Sequence, residues 1–165
     1  MDNLCHTLAG AALAEAGLRH RTRFGGAALM IASNLPDIDV LAFISDTPAV
    51  ALRRGLTHGV IAQVLLPVAL AAVLVLVDKR RPPRSPGASA VQPIALLVMC
   101  YVAGLLHVGM DWLNNYGVRL LMPFSDRWFY GDAVFIVDPW LWLTFASGSL
   151  LARRWRRPAP ARAAL

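Results

Sequence analysis

The chain has 165 residues, 57% of them apolar and 16% charged, with a mean hydropathy of +0.53. That length allows one domain, and that balance favours a polytopic membrane protein over a soluble one. The net charge of +6 raises nucleic acid as a partner, but the placement of the basic residues argues against direct nucleic-acid contact. Cys5 and Cys100 lack the spacing of a metal motif and imply no disulfide framework.

Residues 4–18, rich in Ala and Leu, predict a helix with His6 near its start. It is too short to cross a bilayer comfortably, which takes about 20 apolar residues. Asp2 stands where a signal peptide would carry Lys or Arg, so this stretch is expected to belong to the fold. The basic turn Arg19-His20-Arg21-Thr22-Arg23 follows, then a second short apolar helix from Phe24 to Ser33. Together they predict a helical hairpin, re-entrant or packed on other helices. Asn34-Leu35-Pro36-Asp37-Ile38-Asp39 ends it, because Pro36 disfavours helical geometry at Leu35. On the resulting turn, Asp37 and Asp39 can both aim at one cation, or Asp39 can cap the next element. Val40 to Ile44 is a short apolar segment, and Ser45 to Pro48 a turn.

Arg53-Arg54-Gly55-Leu56-Thr57-His58 introduces the first span, Gly59 to Val77, nineteen residues without a charge. Pro67 predicts a kink in it, and Asp78-Lys79-Arg80-Arg81 stops it. Residues 82–92 read as a flexible linker. The second span runs from about Pro93 to Leu113. His107 and Asp111 sit four residues apart in its last turns, on one helical face. Asn114 to Asp138 is polar and aromatic, and Asp138 before Pro139 has the spacing of an N-cap with proline at the first helical position. A third span is expected over about Pro139 to Ala152, stopped by Arg153-Arg154-Trp155-Arg156-Arg157. The expected fold is all-α: a polytopic membrane bundle of about three full spans with an N-terminal short-helix hairpin. Residues 1–157 would form one integral membrane domain and 158–165 a disordered tail.

The basic clusters at 19–23, 79–84 and 153–157 fall on one side if each apolar segment crosses or dips once. The positive-inside rule makes that side cytoplasmic. His6, Asp37, Asp39, His58, His107, Asp111 and Asp138 then gather at the opposite ends. Trp112, Tyr116, Trp128, Tyr130, Trp140 and Trp142 join them there, as an interfacial belt would.

Ionisable groups at membrane depth are costly and line cavities, pair with each other or hold metal. Imidazole and carboxylate are ligands for zinc, with manganese and magnesium as further candidates. His107 and Asp111 would supply two donors from one rigid helix, Asp37 and Asp39 carboxylates from a loop, and His6 and His58 the remainder. That is enough for one ion or two. A metal of this kind lowers the pKa of bound water to about 7. Arg54 and Arg127 are candidate catalytic residues that neutralise an anionic substrate such as a phosphoester. The alternative is a His–Asp network, with or without a structural metal, that knits helices together.

Several stretches resemble the YdjM-like family, described as membrane-bound metal-dependent hydrolases and as LexA-binding, inner-membrane-associated hydrolases. They are Asp2-Asn3-Leu4-Cys5-His6-Thr7, Asn34 through Asp39, Arg54 through His58, His107 through Gly117 and Pro123 through Asp132. The resemblance implies a distant kinship with zinc-dependent phospholipase C and P1-type nucleases, which cleave phosphoesters with metal clusters. By that analogy His6, Asp37, Asp39, His58, His107 and Asp111 are metal ligands. It also implies a multi-pass inner-membrane location, a small-molecule or lipid-linked substrate among membrane lipids, and a LexA-like regulator as partner.

Overall fold

The computed structural model describes residues 1–44, 54–81 and 90–156. Among them are helices and no strands, apart from isolated bridges between Asn114 and Val134 and between Val118 and Phe129. The turn expected at 45–48, most of the 82–92 linker and the tail from 158 lie outside the described residues.

Helix α1 (Asn3–Glu15) begins where the Asp2 carboxylate accepts the N–H of Cys5 at 3.0 Å, satisfying one of the orphan donors of a first turn. A 3₁₀ turn, Leu18–His20, reverses the chain into α2 (Gly25–Ala32). Leu35–Ile44 is a ten-residue 3₁₀ segment, longer than such segments usually run. The two long helices are α3 (Val60–Arg80) and α4 (Pro93–Leu113). Helix α5 (Pro139–Arg156) is capped as the Asp-Pro spacing predicts: Asp138 Oδ1 accepts the N–H groups of Trp140 at 3.0 Å and Leu141 at 3.2 Å.

The helices pack in the order α5–α1–α2–α4–α3. One apolar core, centred on Leu29, Leu96, Cys100 and Ala103, joins α2, α4, α1 and α3. A second, built from Met1, Cys5, Ala9 and Met110 with Leu141, Trp142 and Phe145 against it, joins α1 to α5. Gly10 allows α1 to lie against α2, since a Cβ there would stand 2.8 Å from the carbonyl oxygen of Leu29 and collide with the Ser33 hydroxyl.

Helices α3 and α4 are long and apolar enough to cross a membrane, with mean hydropathy of 2.8 and 2.0. At 1.5 Å per residue each is about 30 Å long, the thickness of a hydrocarbon core. Ile61, Val64, Leu65, Val68, Val73 and Leu76 of α3 are exposed, the surface that lipid rather than water would cover. The expected third span does not reach this standard. The apolar part of α5, Pro139–Ala152, covers fourteen residues, about 21 Å, and arginines make up much of its last turn.

Every helix runs between two chemically different ends. At one end buried Glu15 accepts from Arg19 at 2.7 Å and from Arg153 at 2.6 Å. There too Arg23 pairs with Asp78 and donates to the carbonyl of Arg81 at 2.9 Å, and Gln92 N–H donates to Thr22 Oγ1 at 2.8 Å. The basic residues of three separate stretches thus meet. The opposite end holds the starts of α1, α3 and α5, the ends of α2 and α4, and the loop 114–138. That loop is fastened by hydrogen bonds from Val60 N–H to Leu120 O at 3.0 Å, Asp2 N–H to Ile136 O at 3.0 Å and Gly131 N–H to Trp112 O at 2.6 Å.

Candidate metal centre

Helical spacing fixes half of the site. His107 and Asp111 lie one turn apart on the face of α4 turned towards the bundle, and both are fully buried. The His107 Nε2–Asp111 Oδ2 distance is 3.5 Å. His58 arrives from the turn before α3 and Asp37 from the 3₁₀ segment. One donor atom from each of Asp37, His58, His107 and Asp111 lies within 4.8 Å of all the others. His58 Nε2 stands 3.1 Å from His107 Nε2, 3.2 Å from Asp111 Oδ2 and 3.7 Å from Asp37 Oδ1. His107 Nε2 stands 3.9 Å from Asp37 Oδ1.

These spacings fit a divalent ion. Four donors bonded tetrahedrally at 2.0–2.1 Å stand roughly 3.3–3.4 Å from one another. The outer nitrogen of each ring has a partner of its own. His107 Nδ1–H donates to the carbonyl of Ser33 at 2.6 Å, leaving Nε2 with its lone pair. His58 Nδ1 lies 3.1 Å from Thr57 Oγ1 and 3.6 Å from Asp39 Oδ2, on the side away from the cluster. Two lone pairs facing each other at 3.1 Å repel unless a proton or a cation lies between them. Asp111 Oδ2, buried in the same space, makes no hydrogen bond.

His6 sits beside this set. Its ring stacks on His107 with centroids 3.7 Å apart, and its Nε2 is 3.3 Å from Asp111 Oδ1 and 3.9 Å from Asp37 Oδ2. Neither ring nitrogen of His6 makes a hydrogen bond. Burial pushes its pKa down to about 4 against the opposing pull of Asp111. The ring is therefore neutral at pH 7 and able to donate a lone pair.

Asp39 takes a different place from Asp37. Its Oδ2 accepts the N–H of Arg54 at 2.7 Å and the Thr57 hydroxyl at 3.3 Å, behind the His58 ring. A turn that aims both carboxylates at one cation is not what forms. In a 3₁₀ helix of three residues per turn, positions two apart are about 240° apart around the axis. One carboxylate therefore faces the cluster and the other its supports.

Arg54 is 2% exposed, and protein groups surround its guanidinium. Nη1 donates to Asn114 Oδ1 and to the Gly117 carbonyl, both at 3.1 Å. Nη2 donates to the Met1 carbonyl and approaches Asp111 Oδ1, both at 3.2 Å. The Tyr116 ring lies beneath it at 4.8 Å. Arg54 has a left-handed φ of 52°, which costs a side-chain-bearing residue about 1–2 kcal/mol. Its backbone is held by Asp39 on one side and on the other by the N–H of Arg119, which donates to its carbonyl at 2.9 Å. Arg127 is exposed and lies over the Phe129 ring at 5.2 Å, on the loop rather than in the cluster.

Three supports were not evident as such in the sequence. The carbonyl of Ser33 orients His107, and the hydroxyl of Thr57 bridges His58 and Asp39. Asn114 reads from sequence as a C-cap or turn residue. It does end α4, and its buried Oδ1 also accepts from Tyr116 N–H at 2.8 Å, Gly117 N–H at 2.9 Å and Arg54. Gly117 makes this turn possible with a φ of 80°, where a Cβ would meet the Phe129 carbonyl oxygen at 2.6 Å.

A family model described as YdjM inner membrane protein matches residues 1–165. Among curated proteins, the chain is 29% identical over 118 residues to the uncharacterized protein YfhP of Bacillus subtilis (strain 168). That alignment covers 71% of this chain but 33% of YfhP, so the chain spans about a third of the length of the curated relative it matches. No solved structure matches.

Proposed function

The chain belongs to the YdjM inner membrane protein family, and from that premise we propose that it is a membrane-bound metal-dependent hydrolase acting on a phosphoester or lipid-linked substrate. The observation that carries this reading is the convergence of Asp37, His58, His107 and Asp111 from three elements, with the Nε2 atoms of both imidazoles turned inward. A divalent ion, zinc first among candidates, would supply Lewis-acid polarisation of a phosphoryl oxygen and activation of water. The chain's own groups do the rest. Asp37, His58, His107 and Asp111 would hold the ion. Ser33 orients His107, Thr57 backed by Asp39 stands against His58, and Arg54 Nη2 and the Met1 ammonium hold Asp111 in place. His6, stacked on His107 with its Nε2 3.3 Å from Asp111 Oδ1, stands beside the ligands as a further donor.

A second reading rests on the burial of all four donors. Four protein ligands closed around an ion are the mark of a structural site, whereas a catalytic one keeps a position open. The protein would then be a membrane scaffold whose basic end meets a cytoplasmic regulator of the LexA type.

Metal analysis of the detergent-purified protein, alongside hydrolysis of bis(p-nitrophenyl) phosphate, separates the two. The hydrolase reading expects stoichiometric divalent metal, and turnover that a chelator removes and metal restores. Metal without turnover on either soluble or lipid phosphoesters favours the scaffold. Full metal occupancy in His107→Ala would sink both.

A further inference from the structure

A groove of about 520 Å³ opens on the bundle surface beside the metal centre and is lined by Asn3, Met30, Ile31, Asn34, Leu35, Asp37, Ile38 and Val40. Its volume lies within the roughly 300–1,000 Å³ typical of ligand pockets. Asp37 is shared, forming part of both the groove and the four-donor cluster.

The groove is graded along the bundle. Its polar members, Asn3, Asn34 and Asp37, lie at the end where α1 starts and α2 stops. Met30 and Ile31 belong to the last turn of α2, which places them deeper towards the basic end. Their side chains and those of Ile38 and Val40 are exposed by 39%, 45%, 46% and 43%. Asn34 Nδ2 is turned away, donating to Thr7 Oγ1 at 3.0 Å and the Met30 carbonyl at 2.9 Å. Depth agrees with this grading. Asp111 and His107 stand two and six residues before the end of α4, about 3 and 9 Å along its axis. In a helix whose length matches the hydrocarbon core, that is the outer third of the core, next to the headgroups.

An anionic head beside a divalent site with an apolar chain running inward from it is the shape of a membrane lipid. A water-soluble phosphoester has no use for four exposed aliphatic side chains. We propose that this groove admits the chain of a long-chain lipid phosphoester laterally from the bilayer, with its phosphate delivered at Asp37. Ile31 and Ile38 are then the specificity-determining residues. This rests on the hydrolase reading for the fate of the phosphate, but not for the binding of the chain.

The test uses the full-length, metal-loaded protein in phosphatidylcholine vesicles doped with phosphatidylglycerol that carries a diazirine at its acyl terminus. Cleavage after Arg23 and Arg53 puts the groove's lining, Asn3 excepted, on one peptide, residues 24–53. Photolysis should label this peptide strongly. Ile31→Trp and Ile38→Trp, at exposed positions that accommodate a larger ring, should lower its labelling several-fold with metal content unchanged. Val68→Trp, on the exposed face of α3, should leave it unaltered. Hydrolysis of long-chain lipid should fall with the labelling, while hydrolysis of bis(p-nitrophenyl) phosphate persists. Labelling of 24–53 that both tryptophan variants leave intact overturns the groove. Labelling that responds as expected, in a protein that hydrolyses neither substrate, supports the groove and overturns the hydrolase instead.

Discussion

The Arg54 side chain shows how an arginine beside a metal centre can serve the ligands rather than the substrate. Sequence position suggests a contact to an anionic group, but the guanidinium is buried against Asp111, Asn114, Gly117 and Met1. Arg54→Ala would leave Asp111 with the Met1 ammonium and Asn114 Nδ2, and would take a donor from Asn114 and Gly117; breaking a buried charged network in this way costs about 3–5 kcal/mol. The expected outcome is a large drop in thermal stability and metal content together, read by melting and metal analysis of the same sample. Retained metal and stability with lost turnover would return Arg54 to a substrate-binding role. Arg54→Lys should rescue only part of the loss, because an ammonium cannot reproduce a planar fork of donors. At the ligands themselves, His58→Ala and Asp111→Ala should each abolish stoichiometric metal binding. The double variant should add little to either, since the ion they share is already gone. A purely additive loss of stability would point to independent structural contacts.

Among the elements, α1 and α2 are too short to span, and their use is to carry donors to α4. The carbonyl that orients His107 belongs to Ser33, at the end of α2, and the height of that end is set where Gly10 lets α1 approach. A larger side chain at position 10 pushes α2 away and takes the Ser33 carbonyl with it. Gly10→Val should therefore destabilise the protein by about 1–3 kcal/mol through overpacking. It should also weaken metal affinity by roughly 10–100-fold, the usual effect of losing a partner behind a metal-binding histidine. Titration with a competing chelator measures the second effect. An affinity unchanged alongside a lowered melting point would mean that the carbonyl does not orient the ring. The 3₁₀ segment makes a related point, because its three-residue turn sends Asp37 into the cluster and Asp39 behind His58.

At the scale of the whole molecule, the basic end and the metal end lie at opposite poles of the bundle. The positive-inside rule predicts an orientation with the arginines in the cytoplasm. A reporter fused after Arg156 should be active on the cytoplasmic side, and one inserted at Ser125, in the loop fastened over the metal end, on the opposite side. A cytoplasmic signal at Ser125 would reverse the orientation and put the metal end within direct reach of a cytoplasmic regulator. Helix α5 is the element on which the count of spans turns. It packs on α1 along the bundle but carries a shorter apolar stretch than α3 or α4.

The sequence by itself determined what depends on local pattern. Apolar runs and their charged stops gave the two long helices and their ends, and Asp138-Pro139 gave the start of α5. The four-residue spacing put His107 and Asp111 on one face, because helical periodicity acts over a single turn. Scarcity did further work: in so apolar a chain, the few His and Asp residues outside the turns had little reason to collect except around each other. Tertiary structure alone decided the division of labour among them. Which of Asp37 and Asp39 reaches the cluster depends on the pitch of a 3₁₀ segment that no apolar period announces. Whether Arg54 faces substrate or protein depends on a turn sixty residues away, where Asn114 and Gly117 accept its donors. The orientation of His107 depends on the carbonyl of Ser33, seventy-four residues away. Such contacts join residues far apart in the chain, and sequence pattern carries them only after packing has brought those residues together.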